Sequence, residues 1–285
     1  MSKRKLLDYL LATVCALSAA GCCCLLFGIL GTIALHGLPA IDWTFLTTAT
    51  TQGGAGGGIF HQILGTLILI CAALLLCAPM ALAVGLVQSV YLSDHALRRP
   101  VTLALYLLNG VPSILFGIVG MIIFVRLFGW GKSWAAGSLL LALMMLPTAT
   151  IAFIEKIVQV PQSALEAARG LGLRRSQMVR SVIVPQSAGG LVTGLLLALA
   201  RAAGETAPIM FTATIFSGAG IPSGIRESPV LSLPYHIFIL AQDSADPEAR
   251  SRIWATALVL VGIVTLFSLI ALPARLRVHE ETRRR

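Results

Sequence analysis

The stretch Glu166–Pro185, EAARGLGLRRSQMVRSVIVP, carries the pattern from which the fold can be worked out. Pro161, just before it, is well placed to open a short helix, because proline is favoured in the first helical turn. Gly170 and Gly172 can end that helix and permit a sharp elbow before a second, arginine-rich helix. Two interpretations stay open on this pattern alone: a rigid projection that seats in a partner's groove, or an amphipathic helix on the membrane surface.

Long apolar segments surround this stretch on both sides. Of the 285 residues, 57% are hydrophobic and only 12% are charged, whereas soluble domains carry roughly 25% charged residues. Backbone polar groups in lipid need internal partners, so segments of this length predict membrane-spanning helices. Six such segments cover roughly 9–35, 61–91, 101–126, 135–155, 186–215 and 252–273. They are continuous and lack the alternation expected of a β-barrel.

The first apolar segment has to be compared with a removable signal. A basic start precedes the apolar run, and Ala19-Ala20-Gly21-Cys22 resembles a weak lipoprotein cleavage site in which Ala19 replaces the usual Leu. The run nevertheless continues through Cys24 to Leu35, which is long enough to span a bilayer. We therefore expect an uncleaved first helix.

The positions of Lys and Arg predict the orientation in the membrane. With the N-terminus inside, the inner segments hold Lys3, Arg4, Lys5, Arg98, Arg99, Lys156, Arg169, Arg174, Arg175, Arg180, Arg275, Arg277, Arg283, Arg284 and Arg285. The outer positions hold only Arg126, Lys132, Arg226, Arg250 and Arg252. Because basic residues favour the cytoplasmic side, both termini are predicted to be cytoplasmic. Topology thus explains the net charge of +9, and no nucleic-acid-binding module is indicated.

Cysteine and histidine residues do not show metal-ligand spacing. The six cysteines all lie in apolar stretches, where we expect small apolar residues packed in helices. The five histidines lie near span ends or in loops. We expect no metal site and no cofactor bound by this chain.

A charged pair interrupts the fifth apolar segment. Arg201 and Glu205 lie four residues apart in a predicted continuous helix and so share one face. A charge at that depth costs at least roughly 2.5–3.5 kcal/mol, so it should face a cavity or a partner. The pair is either a self-neutralising structural contact or an oxyanion site, since the guanidinium fork matches phosphate oxygens. Glu205 could hold that fork in an empty site and accept a proton from a protonated phosphate.

The stretch Glu166–Pro185 resembles the EAA loop of ABC importer permeases. Glu166, Ala167, Ala168, Gly172 and Pro185 fall in register with that motif, while Val182 and Val184 replace Ile and Leu. In that family the loop fits a cleft on a nucleotide-binding subunit. The resemblance therefore implies that these five residues couple the chain to an ATPase.

A second resemblance concerns the cargo. Ala200–Pro208, ARAAGETAP, is similar to the fifth-helix signature of permeases of bacterial phosphate importers. The similarity covers roughly Gly57–Pro273 and includes Gly65-Thr66 and the run Asn109–Ile114. It implies that Arg201, Glu205 and Thr206 lie on the substrate path.

The resemblance also implies partners. We expect a sister permease, an ATPase dimer that binds ATP and Mg²⁺, and a periplasmic phosphate-binding protein. The chain has no ATPase motif of its own: Gly131-Lys132-Ser133 echoes the end of a P-loop, but position 126 is Arg where Gly is required. The chain is therefore not expected to be an enzyme.

Together these patterns predict an all-α integral membrane protein with six transmembrane helices and the type I ABC importer permease fold, with cytoplasmic coupling helices. Residues 1–60 form the first helix and an outer loop, 61–273 the permease core with the EAA loop at 156–185, and 274–285 a basic cytoplasmic tail. We expect a phosphate permease in the bacterial inner membrane. The alternatives are a permease for another oxyanion, such as sulfate or molybdate, and an ion-coupled secondary transporter.

Overall fold

The computed structural model describes residues 3–51, 56–93, 95–216, 218, 220–242 and 247–283, with side chains described except at 3–7, 271 and 273–283. Within these ranges the chain forms twelve α-helices and one short hairpin. The helices are α1 Lys3–Gly37, α2 Trp43–Thr47, α3 Phe60–Leu86, α4 Arg98–Gly110, α5 Ser113–Gly120, α6 Trp134–Val158, α7 Gln162–Gly170, α8 Arg175–Met178, α9 Val184–Ala203, α10 Ala207–Thr212, α11 Leu233–Gln242 and α12 Pro247–Arg283.

Short irregular turns complete these elements. A 3₁₀ turn, Leu38–Ala40, follows α1. Two π-helical turns, Val87–Tyr91 and Met121–Leu127, extend α3 and α5, and a third, Val179–Ile183, joins α8 to α9. Strand β1, Thr50–Thr51, pairs antiparallel with β2, Gly56–Gly57.

The helices confirm a multi-spanning membrane protein. Five stretches are long and apolar enough to cross a bilayer: Asp8–Ala40, Phe60–Tyr91, Trp134–Val158, Arg175–Ala203 and Pro247–Ile270. A sixth crossing results if the pair Arg98–Gly110 and Ser113–Leu127 counts as one span. This pair is bent by 98°.

The third predicted span, 101–126, is therefore wrong as a single helix. Pro112 supplies no N–H, and its ring crowds the carbonyl of Leu108, one turn back. Val111, the residue before the proline, takes an extended conformation with φ −68° and ψ 131°. The chain consequently leaves α4 and starts α5 in a new direction.

The fifth predicted span, 186–215, is also wrong in its bounds. Its helix already begins at Arg175 and it ends at Ala203, after which α10 restarts at Ala207. Pro208 cannot donate a bond to the carbonyl of Gly204, so a continuous helix would lose its ladder at this point. The span is consequently broken over residues 204–206.

Helix α6 forms the centre of the bundle. In its most apolar window 61% of the residues are buried, against none in the first span. Helices α3 and α9 both pack on α6. Gly194 of α9 allows α9 to approach α6 closely, since a Cβ at this position would lie 2.8 Å from the Ala149 carbonyl oxygen. Small residues allow such close approach where lipid supplies no hydrophobic drive between helices.

Helix α1 lies at the periphery, packed along α12. Its apolar side chains are exposed, as Leu25 and Phe27 show at 70% and 69%, and they suit contact with lipid. The expectation that all six cysteines are packed inside helices is wrong. Only Cys77 is buried, whereas Cys15, Cys22, Cys23, Cys24 and Cys71 are exposed.

The end of the bundle opposite α7 is covered by a layer that we call the cap, comprising the described parts of 38–59 and 213–249. The cap packs against Gly65 and Thr66 of α3. A Cβ at Gly65 would lie 2.0 Å from the Leu231 carbonyl oxygen, and the Leu233 N–H donates to Thr66 Oγ1 at 2.9 Å. Within the predicted outer loop 216–251, the described residues 233–242 form helix α11.

The predicted basic tail continues as helix. The backbone of α12 extends to Arg283. Arg284 and Arg285 lie outside the described residues.

Candidate substrate path and coupling loop

The break between α9 and α10 sets the position of the charged pair. Arg201 lies in the last turn of α9, where a cation is favoured by the carbonyl end of the helix. The Gly204 N–H donates to the Arg201 carbonyl at 3.3 Å and the Glu205 N–H to the Ala202 carbonyl at 3.2 Å. Glu205 therefore follows the helix rather than belonging to it, and the predicted continuous helix through both charges is wrong.

The predicted ion pair nevertheless forms. Arg201 Nε lies 3.7 Å from Glu205 Oε1, a long contact for a salt bridge. The Arg201 side chain is 36% exposed and that of Glu205 18%. The pair is therefore accessible from outside this chain, not sealed in its core.

Two further polar side chains complete the group. Arg201 Nη1 donates to Asn109 Oδ1 at 3.1 Å, and Thr148 Oγ1 donates to the same oxygen at 2.9 Å. We call Asn109, Thr148, Arg201 and Glu205 the arginine cluster. Asn109 lies at the end of α4, just before the bend at Pro112, so the cluster joins both interrupted spans.

Sequence reasoning missed Asn109 and Thr148 as site residues. A signal existed for Asn109, because an amide in an apolar segment needs a partner in the membrane. Thr148 had a weaker signal, since a helix threonine can bond its own backbone. Nothing in the sequence linked either of them to Arg201.

Thr206 lies at the break itself. It is the residue that precedes α10, and its carbonyl accepts the Met210 N–H at 3.0 Å. Its side chain makes no capping bond to α10 and is partly exposed. Thr206 thus follows Glu205 directly in the sequence, and the structure shows no hydrogen bond from its hydroxyl to the arginine cluster.

The EAA loop at 156–185, which we call the coupling loop, has the predicted elbow. Helix α7 begins directly after Pro161, and Gly172 adopts a φ of +72°, which favours glycine. The Gly172 N–H bonds to the Arg169 carbonyl at 2.9 Å and the Leu173 N–H to the Ala168 carbonyl at 3.1 Å. These bonds close the end of α7.

The five motif residues have different surroundings. Ala168 is buried against Phe153, and Glu166 and Ala167 are exposed. Leu171 is 80% exposed at the elbow, a large apolar side chain without cover in this chain. Such a residue suits contact with a partner.

The sequence predicts a separate second helix in the loop, and the structure shows that this helix is not separate. Helix α8 continues through the π-helical turn Val179–Ile183 into α9. Pro185 would break the hydrogen-bond ladder of a regular helix, and an inserted π turn accommodates such a loss. Pro185 thus lies inside the fifth span, away from the elbow.

The stretch Gly131-Lys132-Ser133 has a structural role. Lys132 Nζ donates to the carbonyls of Met210 and Thr214 at 2.9 and 3.2 Å, which holds the end of α10. Burial lowers the pKa of Lys132. Ser133 caps α6, as its hydroxyl accepts the Ala136 N–H at 3.3 Å.

The described residues contain no group of three or more His, Cys, Asp or Glu side chains that could hold a metal ion. In the described spans, Arg201, Glu205 and Asn109 bring an ion pair and an amide together in the arginine cluster, and a guanidinium is a group of the kind that binds anions. Two broken helices that meet at charged groups are typical of membrane transport proteins. The fold and the site thus define a membrane transport subunit.

Comparison with known proteins places the chain in one family. Residues 81–279 match the model of the family "Binding-protein-dependent transport system inner membrane component", to which this chain belongs. The phosphate transport system permease protein PstA 2 of Mycobacterium tuberculosis is 32% identical over 94% of this chain and 87% of its own length. A probable PstA of Methanocaldococcus jannaschii is 32% identical over 90% and 88%.

Solved structures show the same fold. A chain of the inward-facing MetNI methionine ABC transporter superposes with a TM-score of 0.61 and 15% identity, over 77% of this chain and 97% of its own. A chain of an amino acid ABC transporter gives a TM-score of 0.53 with 19% identity. The predicted type I ABC importer permease fold is confirmed.

Proposed function

We propose that this chain is the permease subunit of an ATP-driven phosphate importer and forms part of the translocation path through the bacterial inner membrane. The observation that carries the proposal is the arginine cluster, which lies where both broken spans meet. Its sequence context supports phosphate as the cargo, since relatives of nearly full length are named phosphate permeases.

Arg201 supplies the anion-binding group. Its guanidinium bonds to a neutral amide, Asn109, and makes one long contact to Glu205, so an arriving phosphate can gain charge-assisted bonds. Glu205 keeps the guanidinium fork in place when the site is empty. It also accepts a proton from monoprotic phosphate, whereas sulfate has no proton to give. Thr206 lines the same break. Because Arg201 is exposed in the single chain, the opposite wall belongs to a sister permease.

The coupling loop passes movement to the spans. With the elbow on the cytoplasmic side, basic residues gather at the membrane edge as the positive-inside rule requires, and both termini are cytoplasmic. Glu166, Ala167 and Leu171 then face an ATPase dimer that binds ATP and Mg²⁺, while Ala168 anchors α7 to the bundle. A periplasmic phosphate-binding protein delivers the anion at the cap.

The test is phosphate uptake with Arg201→Gln and Arg201→Lys. Loss of the charged hydrogen bonds should lower uptake about ten- to hundred-fold, and Lys should not restore it because it lacks the planar fork. Arg99→Gln is the matched control, because Arg99 is exposed at the other end of α4. Wild-type uptake in Arg201→Gln would contradict the proposed path.

The identity of the anion is tested separately. Competition by sulfate or molybdate should not reduce phosphate uptake by the wild type. Glu205→Gln should admit sulfate as a competitor. Equal competition by sulfate in the wild type would instead favour a permease for another oxyanion.

A further inference from the structure

A second basic site lies at the membrane edge under α7, at the opposite end of α4 from the arginine cluster. A cavity of about 320 Å³ opens there between α7, α8 and the near ends of α3, α4 and α6. This volume falls in the range of small-molecule binding sites, roughly 300–1,000 Å³. The cavity is thus large enough for a small ligand.

Three arginine residues line this cavity, each from a different helix. They are Arg98 of α4, Arg169 of α7 and Arg175 of α8. No described lining residue is a carboxylate, and in the described part of the chain the one ion pair within 4.0 Å is Arg201–Glu205. Three like charges around one space repel each other, so a bound anion would stabilise them.

The cavity also offers neutral donors. Ser89 lines the cavity, and its Oγ is shielded from solvent and has no hydrogen-bond partner among the described residues. Buried hydroxyls are normally bonded, so an unpartnered hydroxyl next to a cavity is free to turn toward an acceptor bound there. The Gln162 side chain lies on the same wall. Phosphate oxygens accept bonds from hydroxyl, amide and guanidinium groups alike.

The cavity lies at the edge of the bilayer. Ser89 is within the last turn of the span that ends at Tyr91, and Val158 ends the span Trp134–Val158. Val158 lines the cavity and is 65% exposed, so an apolar chain could follow it away from the arginines. Basic pockets between helices at this depth suit lipid headgroups.

We propose that Arg98, Arg169 and Arg175 bind a phosphate-bearing anion, which comes either from an anionic lipid headgroup or from free inorganic phosphate. Because Arg169 belongs to α7, the bound anion connects the coupling loop to α4. Occupancy of the site therefore stiffens the loop that faces the ATPase. The site is separate from the translocation path and remains intact when Arg201 is replaced.

The experiment uses the whole transporter complex in nanodiscs on an Arg201→Gln background, which removes the path as a phosphate site. Phosphatidylglycerol retained by the complex is counted by native mass spectrometry, and inorganic phosphate is titrated by calorimetry in neutral phosphatidylcholine discs. Binding in the first arm assigns the lipid headgroup, and binding in the second assigns free phosphate.

Arg169→Gln and Arg175→Gln should each weaken the binding about ten-fold, the usual effect of losing one charged hydrogen bond. Arg174→Gln and Arg180→Gln are matched controls, because both residues are exposed in the same loop and neither lines the cavity. The controls should bind like the parent complex.

Two results would overturn the proposal. Binding of neither probe by the parent complex means that the three arginines do not form an anion site. Unchanged binding in Arg169→Gln and Arg175→Gln, together with loss of the ATPase subunit on purification, means that these arginines serve the ATPase instead.

Discussion

Asn109 accepts a hydrogen bond from Arg201 at 3.1 Å although the two residues lie 92 positions apart in the chain. The bond joins the last turn of α4 to the last turn of α9, so that two interrupted spans meet through one amide oxygen. Thr148 of α6 donates to the same oxygen. Asn109 is therefore placed to control the orientation of the guanidinium.

Replacing Asn109 should alter the affinity for phosphate. Asn109→Ala removes one neutral acceptor, worth about 1 kcal/mol, and should raise KM about five-fold. Asn109→Asp should do more harm, because a carboxylate beside Arg201 competes with the anion. Uptake kinetics measure both effects.

Two threonines of α6 provide the control for this prediction. Thr148→Val removes the donor to Asn109, whereas Thr150 is buried with its hydroxyl unpartnered within the described chain. Thr148→Val should raise KM and Thr150→Val should not. An Asn109→Asp variant with normal KM would show that the amide does not orient Arg201.

Replacing Gly172 should uncouple transport from ATP hydrolysis. Gly172→Val forces a β-branched residue to φ +72°, which costs roughly 1–2 kcal/mol and distorts the elbow. Phosphate uptake should fail, and the binding protein should no longer stimulate ATP hydrolysis. Gly129→Val is the matched control, since Gly129 also has a positive φ, +64°, with open space around it near the cap. Coupling that survives in Gly172→Val would be the contrary result.

Replacing Leu171 should weaken attachment of the ATPase. Leu171→Ser removes the exposed apolar side chain at the elbow without touching the core. Burying a leucine side chain contributes about 1.5–3 kcal/mol, so co-purification of the ATPase should fall about ten-fold or more. Ile221→Ser removes a similarly exposed side chain at the cap, 69% exposed, and should leave the ATPase bound. Equal retention in both variants would exclude Leu171 from the contact.

Acid should destabilise the cap through His236. Burial, with a smaller contribution from the Arg252 charge, lowers the pKa of His236 to about 4, from an ordinary value of 6.5. Between these values the unfolded chain binds a proton that the folded chain excludes, so stability falls as the pH drops from about 6.5 to 4. The full loss is about 3 kcal/mol.

Thermal unfolding against pH tests this prediction. His236→Gln should flatten the profile between pH 6.5 and 4, because an amide does not titrate. His61→Gln should keep the wild-type profile, as no buried group is lost. A wild-type profile in His236→Gln would assign the acid sensitivity to other groups.

Much of this fold follows from the sequence, because the apolar segments and Gly172 act locally. The prolines show where local reasoning ends. Pro79 and Pro147 lie inside helices that continue, whereas Pro112 and Pro208 accompany breaks. The packing of α10 on α5, where a Cβ at Gly117 would lie 2.9 Å from the Ala207 carbonyl oxygen, explains the difference and is not visible in the chain order.

The candidate site, like the fold, could be predicted from the sequence only in part. The Arg201–Glu205 contact was predictable from its four-residue spacing, although the helix ends between the two residues. The bond to Asn109 depends on how α4 meets α9, which no local pattern encodes. The site residues Arg201, Glu205 and Thr206 and the coupling residues Glu166, Ala167, Ala168, Gly172 and Pro185 stay predictions until they are substituted.

Lys132 fixes α10 to the turn before α6 through two carbonyls, and the Ser133 N–H adds a third bond, to the Thr212 carbonyl. The far end of the broken span is thereby immobilised. We therefore expect a push that reaches α9 from the elbow to bend the span at residues 204–206 instead of sliding it as one rod. The span would then act as a lever with its pivot beside Arg201, and each cycle of the ATPase would tilt the guanidinium rather than carry it across the membrane.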